Sequence, residues 1–394
     1  MIEVKGKYNT AIIYSDNIDS GVIEQVQNVL NKKFSAGSKI RIMPDTHVGK
    51  GSVIGTTMTI TDKVVPNLVG VDIGCGVDTA KLAEKEVNLV RLDKIIHDHI
   101  PAGFKIRRDA HPYIKEINLS ELRIKKAVDI KRAILSLGSL GGGNHFIELN
   151  KDEEGNLYLV VHSGSRNLGK QTAEFYQKEA NKYVNQKSHT LKTEIAGLKG
   201  ENKIAEASEK EEELELYNVE KSLAFFEGQL FEDYIHDMEI VQRYALLNRK
   251  AIIEEIIEKM EFTAIDSFTT IHNYIDTETM ILRKGAISAQ KDERILIPLN
   301  MRDGSLICKG KGNPDWNYSA PHGAGRLMSR TEAKSTINLD TYKKSMEGIY
   351  TTTVGKSTID EAPFAYKPKE EILDNITDTA ELLHIIKPVY NFKA

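Results

Sequence analysis

Cysteine is scarce in this chain: Cys75 and Cys308 are the two thiols among 394 residues. A disulfide-stapled secreted scaffold needs more, and a chain this long can bury a core without staples. The pair is therefore read as reduced thiols in a reducing compartment, with any special role for Cys75 that of a thiolate. Long hydrophobic runs are missing as well. No stretch of about 18 consecutive apolar residues occurs, so no membrane-spanning helix is expected. Residues 1–14 alternate short apolar and polar side chains and lack the apolar core of a secretory signal peptide. A cytoplasmic protein is the expectation. A surplus of positive charge is also absent: 53 Lys and Arg against 57 Asp and Glu leave a net charge of -4. A polyanionic partner must then be held by local basic surface. One such surface is visible at residues 105–132, where Lys105, Arg107, Arg108, Lys115, Arg123, Lys125, Lys126, Lys131 and Arg132 outnumber the acids. A solvated helix face explains that stretch equally well.

What is present is a globular composition, 40% hydrophobic and 28% charged. Short β-branched runs at 11–14, 39–43, 53–60 and 67–71 read as strands, as do 146–149, 157–161, 294–298 and 305–308. Residues 310–314 read as a loop, and 384–393 are apolar enough to be packed. Between 171 and 260 proline disappears, and Glu, Lys, Leu and Ala dominate. Apolar residues recur there at three- and four-residue spacing, as at Leu223, Phe226, Leu230 and Tyr234, which predicts helix. We read this segment as a helical hairpin inserted in the fold, broken near 197–202, with the acidic run 209–215 as a solvated face. No repeat or flexible linker divides the chain.

Four separated clusters place metal-type ligands among glycines: VGVDIGCGV, GSLGGGNHFIEL, VVHSGSRNLG and IHNYI. They offer Asp72, Cys75, His145, His162 and His272. A lone histidine on an apolar strand is more often a satisfied core residue; the set is harder to dismiss. Asp72 and Cys75 lie three apart in a glycine-bracketed turn, so a carboxylate and a thiolate can converge on one ion while imidazoles complete the shell. That donor mix suits Mn, Zn, Fe or Co and not Mg²⁺, and without a paired CxxC it is no zinc knuckle.

A further stretch, NYSAPHGAGRLMSR, puts His322 before Gly323, Ala324 and Gly325. Small residues let a phosphate approach backbone N–H groups, and Arg326 and Arg330 add cationic donors. A neutral imidazole in such a cradle is a competent nucleophile. The plainer alternative is a histidine capping a helix that begins near Gly325.

In order along the chain, MPDTHVGKG, VGVDIGCGV, GGGNHFIEL, VHSGSRNLG, HNY, RKGA, PHGAGRLMSR and DEAPFAYK resemble the motifs of the RtcB RNA ligases. The resemblance implies an α+β fold: one large RtcB-type domain over residues 1–394, of mixed β-sheets with surrounding helices, within which the helical insertion at 171–260 looks unlike that of the family's longer members. It implies two Mn²⁺ ions, one held by Asp72, Cys75 and His145 and the other by Cys75, His162 and His272, and GTP as the energy source. His322 would carry GMP covalently. Asn144, Glu148, Ser305, Gly323, Ala324, Gly325, Tyr366 and Lys393 would face the nucleotide, and Arg166, with Arg326 and Arg330, the RNA phosphates. The implied activity joins RNA 3′-phosphate or 2′,3′-cyclic phosphate ends to 5′-hydroxyl ends, in RNA repair or tRNA splicing. The resemblance breaks at residues 300–303, where Asn-Met-Arg-Asp stands in place of the family's GSMGT. A guanine-side contact at Asn300 is not carried over, and nucleotide preference stays open. Two rival readings are a metal-dependent phosphodiesterase or phosphatase that opens cyclic phosphates without ligation, and a non-catalytic RNA-binding factor. Neither needs both the nucleophile motif and five ligands.

Overall fold

The computed structural model describes residues 1–393 and shows an α+β architecture built on two large sheets. The first has six strands, in spatial order Ile2–Lys5, Thr10–Ile13, Ile40–His47, Ile54–Thr59, Ile281–Lys284 and Asn273–Asp276. Thr10–Ile13 and Ile40–His47 run parallel; their neighbours pair antiparallel. The second has seven, in order Ala264–Ile271, Gly76–Leu82, Leu157–Ser163, Phe146–Lys151, Ala380–Lys393, Gly304–Gly310 and Arg294–Asn300. Every pairing in it is antiparallel. Its central strands are buried on both faces, Leu157–Ser163 along its whole length, as their near-continuous apolar sequence requires.

Helix Gln229–Met260 packs on the seven-stranded sheet, and helix Arg166–Gly200 packs against that helix. Leu247, Ala251, Ile252 and Ile256 of Gln229–Met260 are almost completely buried, spaced four and five apart on one helical stripe. The segment 171–260 departs from a simple hairpin. Its first helix begins earlier, at Arg166, and a second, Ile204–Leu216, follows the break at 201–203. Residues 217–228 are not α-helical: Leu223 ends a 3-10 turn, and Phe226 lies in a two-residue strand paired with Lys63–Val64. The apolar spacing there reflects burial of Leu223 and Phe226 in the core rather than helix, and Gly228 at φ +62° breaks the chain direction before the last helix.

Two other expectations are corrected. Residues 67–71 are no strand: Pro66 sets up a 3-10 turn, Pro66–Leu68, closed by Val69 N–H donating to the Pro66 carbonyl. Proline has the fixed φ and missing N–H that suit such a start. No helix begins at Gly325. The helix there is Arg330–Thr336, whose N-cap is Ser329 in a reciprocal capping box with Glu332, so His322 caps nothing.

Candidate active site

Adjacent strand ends bring the ligand-type residues together. Cys75 precedes the strand Gly76–Leu82, in which Gly76 pairs with Ser163 on one side and Ile271 on the other. His162 therefore lies across from Val77 and Phe146, His145 sits one residue before Phe146, and His272 follows Ile271 where the chain crosses from the seven-stranded to the six-stranded sheet. The His272 N–H donates to the Cys75 carbonyl, 2.9 Å.

The donor atoms form two overlapping triads, Asp72–Cys75–His145 and Cys75–His162–His272, within each of which they lie no more than 4.8 Å apart. Cys75 Sγ is 3.5 Å from His145 Nε2 and 3.3 Å from His162 Nε2. Asp72 Oδ2 is 3.1 Å from His145 Nε2. On the outer side, His145 Nδ1 meets the Leu140 carbonyl at 2.9 Å and His162 Nδ1 the Asn144 carbonyl at 3.2 Å. A carbonyl accepts only, so these contacts put the ring proton on Nδ1 and leave Nε2 lone pairs facing the sulfur. Asp72 Oδ1 accepts from Ser165 N and Oγ at 2.9 and 3.0 Å. Gly164 makes room for that carboxylate, since a Cβ there would fall 2.2 Å from it.

Burial drives the Cys75 thiol well above its ordinary pKa, with Asp72 adding to the effect, and drives His162 and His272 well below theirs. Burial also opposes ionisation of Asp72, but the His145 ring against its Oδ2, and Arg166 nearby, hold it far below the usual carboxylate range. Neutral imidazoles, one carboxylate and a shared sulfur fit divalent transition metals, because a coordinated cation reverses the thiol's preference and deprotonates it.

His322 stands beside this cluster, its ring centroid 4.8 Å from that of His272. Its Nδ1 contacts Asp45 Oδ2 at 2.6 Å, and its backbone N–H donates to the same oxygen at 3.1 Å. Asp45 is fully buried, and its Oδ1 has no hydrogen-bond partner. This pairing fixes the tautomer with the proton on Nδ1 and the lone pair on Nε2. Gly325, at φ +76°, passes so close to Asp45 that a Cβ would fall 2.3 Å from the Asp45 carbonyl oxygen.

One cleft is lined by Cys75, His162 and His272, by His322 with Gly323, Ala324 and Gly325, and by Asn144 and Glu148. Arg326, Arg330, Tyr366 and Lys393 complete its far side. Glu148 accepts from Asn391 at 2.7 Å and Asn150 at 3.2 Å, and burial pushes its pKa up to about 7. Glu361 gathers Lys393 at 2.6 Å, Arg330 at 2.8 Å, Arg326 at 3.3 Å and the Tyr366 hydroxyl at 2.6 Å. Burial works against its ionisation, but Lys393 and Arg330 hold it at about 2. Arg326 and Arg330 thus have carboxylate partners in the protein itself.

Three expected residues fall outside that cleft. Ser305 lies behind the cleft wall, next to lining residue Gly304, with its buried hydroxyl unpartnered. Asn300, where the family motif is interrupted, does line the cleft, but its side chain is taken up by Asp303 and the turn amides of Arg302 and Asp303. His145 and Arg166 line a second cleft on the opposite side of Asp72, which lines both. Arg166 Nη1 is 3.3 Å from His145 Nδ1, and its guanidinium occupies the space that a Cβ on Gly141 would take.

Sequence reasoning missed Asp45, Lys284, Asn248 and Arg249. Lys284 is buried and donates to the carbonyls of Lys50 and Ser52 at 2.5 and 2.9 Å, fixing the loop after His47; burial lowers its pKa to about 7. Asn248 accepts from the amides of Gly138 and Ser139 and donates to Ser163 Oγ and the Gly164 carbonyl. Arg249, with no exposed surface, bonds Asp78 at 2.6 Å and the carbonyls of Gly74 and Ser163 at 2.9 and 3.3 Å. MPDTHVGKG and RKGA flagged the first two; the polar pair in the apolar run YALLNRKAII was the available signal for the others.

The sequence model of the tRNA-splicing ligase RtcB family matches residues 25–129 and 115–394. The RNA-splicing ligase RtcB of Escherichia coli (strain K12) is 28% identical over 393 aligned residues, covering 89% of this chain and 88% of that protein. The tRNA-splicing ligase RtcB of Archaeoglobus fulgidus is 26% identical over 448, covering 91% of this chain and 87% of its own length. That of Aeropyrum pernix is 25% identical over 467, covering 92% and 90%. With the whole seven-stranded sheet, both ligand triads and His322 inside the matched residues, the chain belongs to the RtcB family.

Proposed function

We propose that this protein is a GTP-dependent RNA ligase that joins 3′-phosphate or 2′,3′-cyclic phosphate ends to 5′-hydroxyl ends through GMP carried on His322, in RNA repair or tRNA splicing. The observation that carries the reading is the Asp45-held imidazole of His322 set 4.8 Å, ring to ring, from a ligand histidine. The names of the relatives, all RNA- or tRNA-splicing ligases, support it.

Asp45 keeps the proton on Nδ1, so Nε2 attacks the α-phosphorus of GTP. The Nε2–P bond forms as the bond to the bridging oxygen breaks and pyrophosphate leaves. An oxygen of the RNA 3′-phosphate then attacks the same phosphorus and frees His322. The 5′-hydroxyl oxygen attacks the activated RNA phosphate, GMP leaves, and the hydroxyl proton passes to solvent. Capping is needed because a phosphomonoester oxygen is a poor leaving group until it is part of an anhydride. Two divalent ions, Mn²⁺ by resemblance, would be held by the two triads sharing Cys75 and would supply Lewis-acid neutralisation of phosphate charge. Glu148, Asn144, Tyr366 and Lys393 form the nucleotide side in this reading, and Arg166 meets an RNA phosphate.

The deciding experiment incubates the purified protein with Mn²⁺ and α-labelled GTP, with ATP in parallel. A covalent label is expected with GTP and none in His322→Ala. Wild-type protein that never labels yet opens cyclic ends without nucleotide would instead be a phosphodiesterase.

A further inference from the structure

The second cleft, on the far side of Asp72 from His322, combines Arg166 with features that no step above uses. Phe104 stands at its mouth with 95% of its surface exposed. A large aromatic ring normally folds onto the body of a protein, since burying it is strongly favourable. This one is held out by a pinned turn. Gly103 N–H donates to the Gly141 carbonyl at 2.8 Å, Leu140 N–H to Pro101 at 2.8 Å, and Lys105 N–H closes the turn onto Ala102 at 3.2 Å. The Arg132 guanidinium donates to the Phe104 carbonyl at 3.1 Å. The backbone that presents the ring is thus pinned, and the turn is tied to the strand end that carries His145.

Charge surrounds it with one sign. Lys105, Arg132, Arg166 and Lys170 line the cleft, and Asp72 is its one carboxylate. An exposed ring on a pinned turn among cations fits a polyanion with unstacked π-faces. A duplex presents phosphates but keeps its bases stacked, whereas a single strand offers both.

Resting on the ligase reading, we propose that this cleft is the path of a single-stranded RNA end, with Phe104 stacking on a base near the terminus while Lys105, Arg132, Arg166 and Lys170 follow the phosphates toward Asp72 and His145. The strand then enters from the side opposite the nucleotide, and the two meet at Asp72.

The test uses the full chain and a fluorescent single-stranded RNA of about 10 nucleotides bearing a 3′-phosphate, with anisotropy read at several salt concentrations. Phe104→Ala is expected to raise Kd about tenfold with an unchanged salt slope, and Phe104→Trp to restore binding. Lys105→Glu is expected to weaken binding and reduce the salt slope by about one. Ile204→Ala, another exposed apolar side chain, serves as the control and should bind as wild type. Phe104→Ala with wild-type affinity overturns the proposal, as does poly-glutamate binding as tightly as RNA, which would make the cleft a site for acidic protein. GTP labelling of the unsubstituted protein is scored separately. A chain that never labels but loses RNA affinity in Phe104→Ala sinks the ligase reading and keeps the RNA path, and the converse result does the reverse.

Discussion

The two sides of the His322 cleft handle buried charge in opposite ways. On one side a thiol, three imidazoles and Asp72 crowd together, and burial keeps the thiol protonated and His162 and His272 neutral. On the other, Glu361 is ionised and already surrounded by Lys393, Arg330 and Arg326. The first group reaches its full donor strength only with a cation; the second brings its own cations and locks them in place. Neighbouring clusters of ionisable groups can therefore serve unlike ends, one completing itself with a ligand and one stiffening the wall that the ligand meets.

The contrast can be broken most severely at its shared atom. Cys75→Ala removes a donor from both triads, and Mn²⁺ affinity measured by calorimetry should fall more than about 100-fold, with end joining lost in a gel assay. Asp45→Asn retains the shape around His322 but disturbs its tautomer, and the rate of GTP labelling should drop about 10²- to 10⁴-fold with Mn²⁺ affinity little changed. On the self-neutralised side, Glu361→Gln leaves buried Lys393 without its carboxylate, while Arg330 keeps Asp360, and should cost about 3–5 kcal/mol at pH 7 by urea denaturation. Because the folded pKa of Glu361 is about 2 against an ordinary 4.5, that contribution is complete above 4.5 and disappears as pH falls toward 2. Glu148 sharpens the comparison with the opposite sign. Its folded pKa of about 7 lies above the ordinary 4.5, so its contribution is complete below 4.5 and is lost as pH rises through 7. Glu148→Gln should flatten that loss by about 2 kcal/mol, read as unfolding midpoints at pH 5 and pH 8.

Much of this arrangement was legible in the chain because glycine-bracketed motifs mark where backbone must pass close to something. Gly164 beside Asp72 and Gly325 beside Asp45 are physical instances, each lacking the Cβ that would collide. Strand ends were legible for the same reason, and VGVDIGCGV and GGGNHFIEL lead into the strands on either side of Leu157–Ser163 that gather Cys75 and His145. What the sequence hid were partnerships over long separations. Asp45 and His322 are 277 residues apart, and nothing local in MPDTHVGKG says which imidazole its carboxylate holds. Arg326 and Arg330 looked like free phosphate donors because their partners, Asp360 and Glu361, lie in another motif. Phe226 was mistaken for a helical residue because a buried two-residue strand and a helix face are equally apolar. Asn248 and Arg249 stay hidden in the segment read as a helical hairpin, since a polar pair inside a helix shows its purpose only once the loops it binds are in place.

That pair has a consequence for how the molecule opens. Asn248 holds the Gly138 and Ser139 amides, and Arg249 holds the Gly74 and Ser163 carbonyls, so the turns before and after the ligands are fastened to one 32-residue helix. Local fraying cannot release one turn while the others stay. In hydrogen–deuterium exchange, the amides of Gly138 and Ser139 should trade protons in step with those in the middle of that helix, as one cooperative unit.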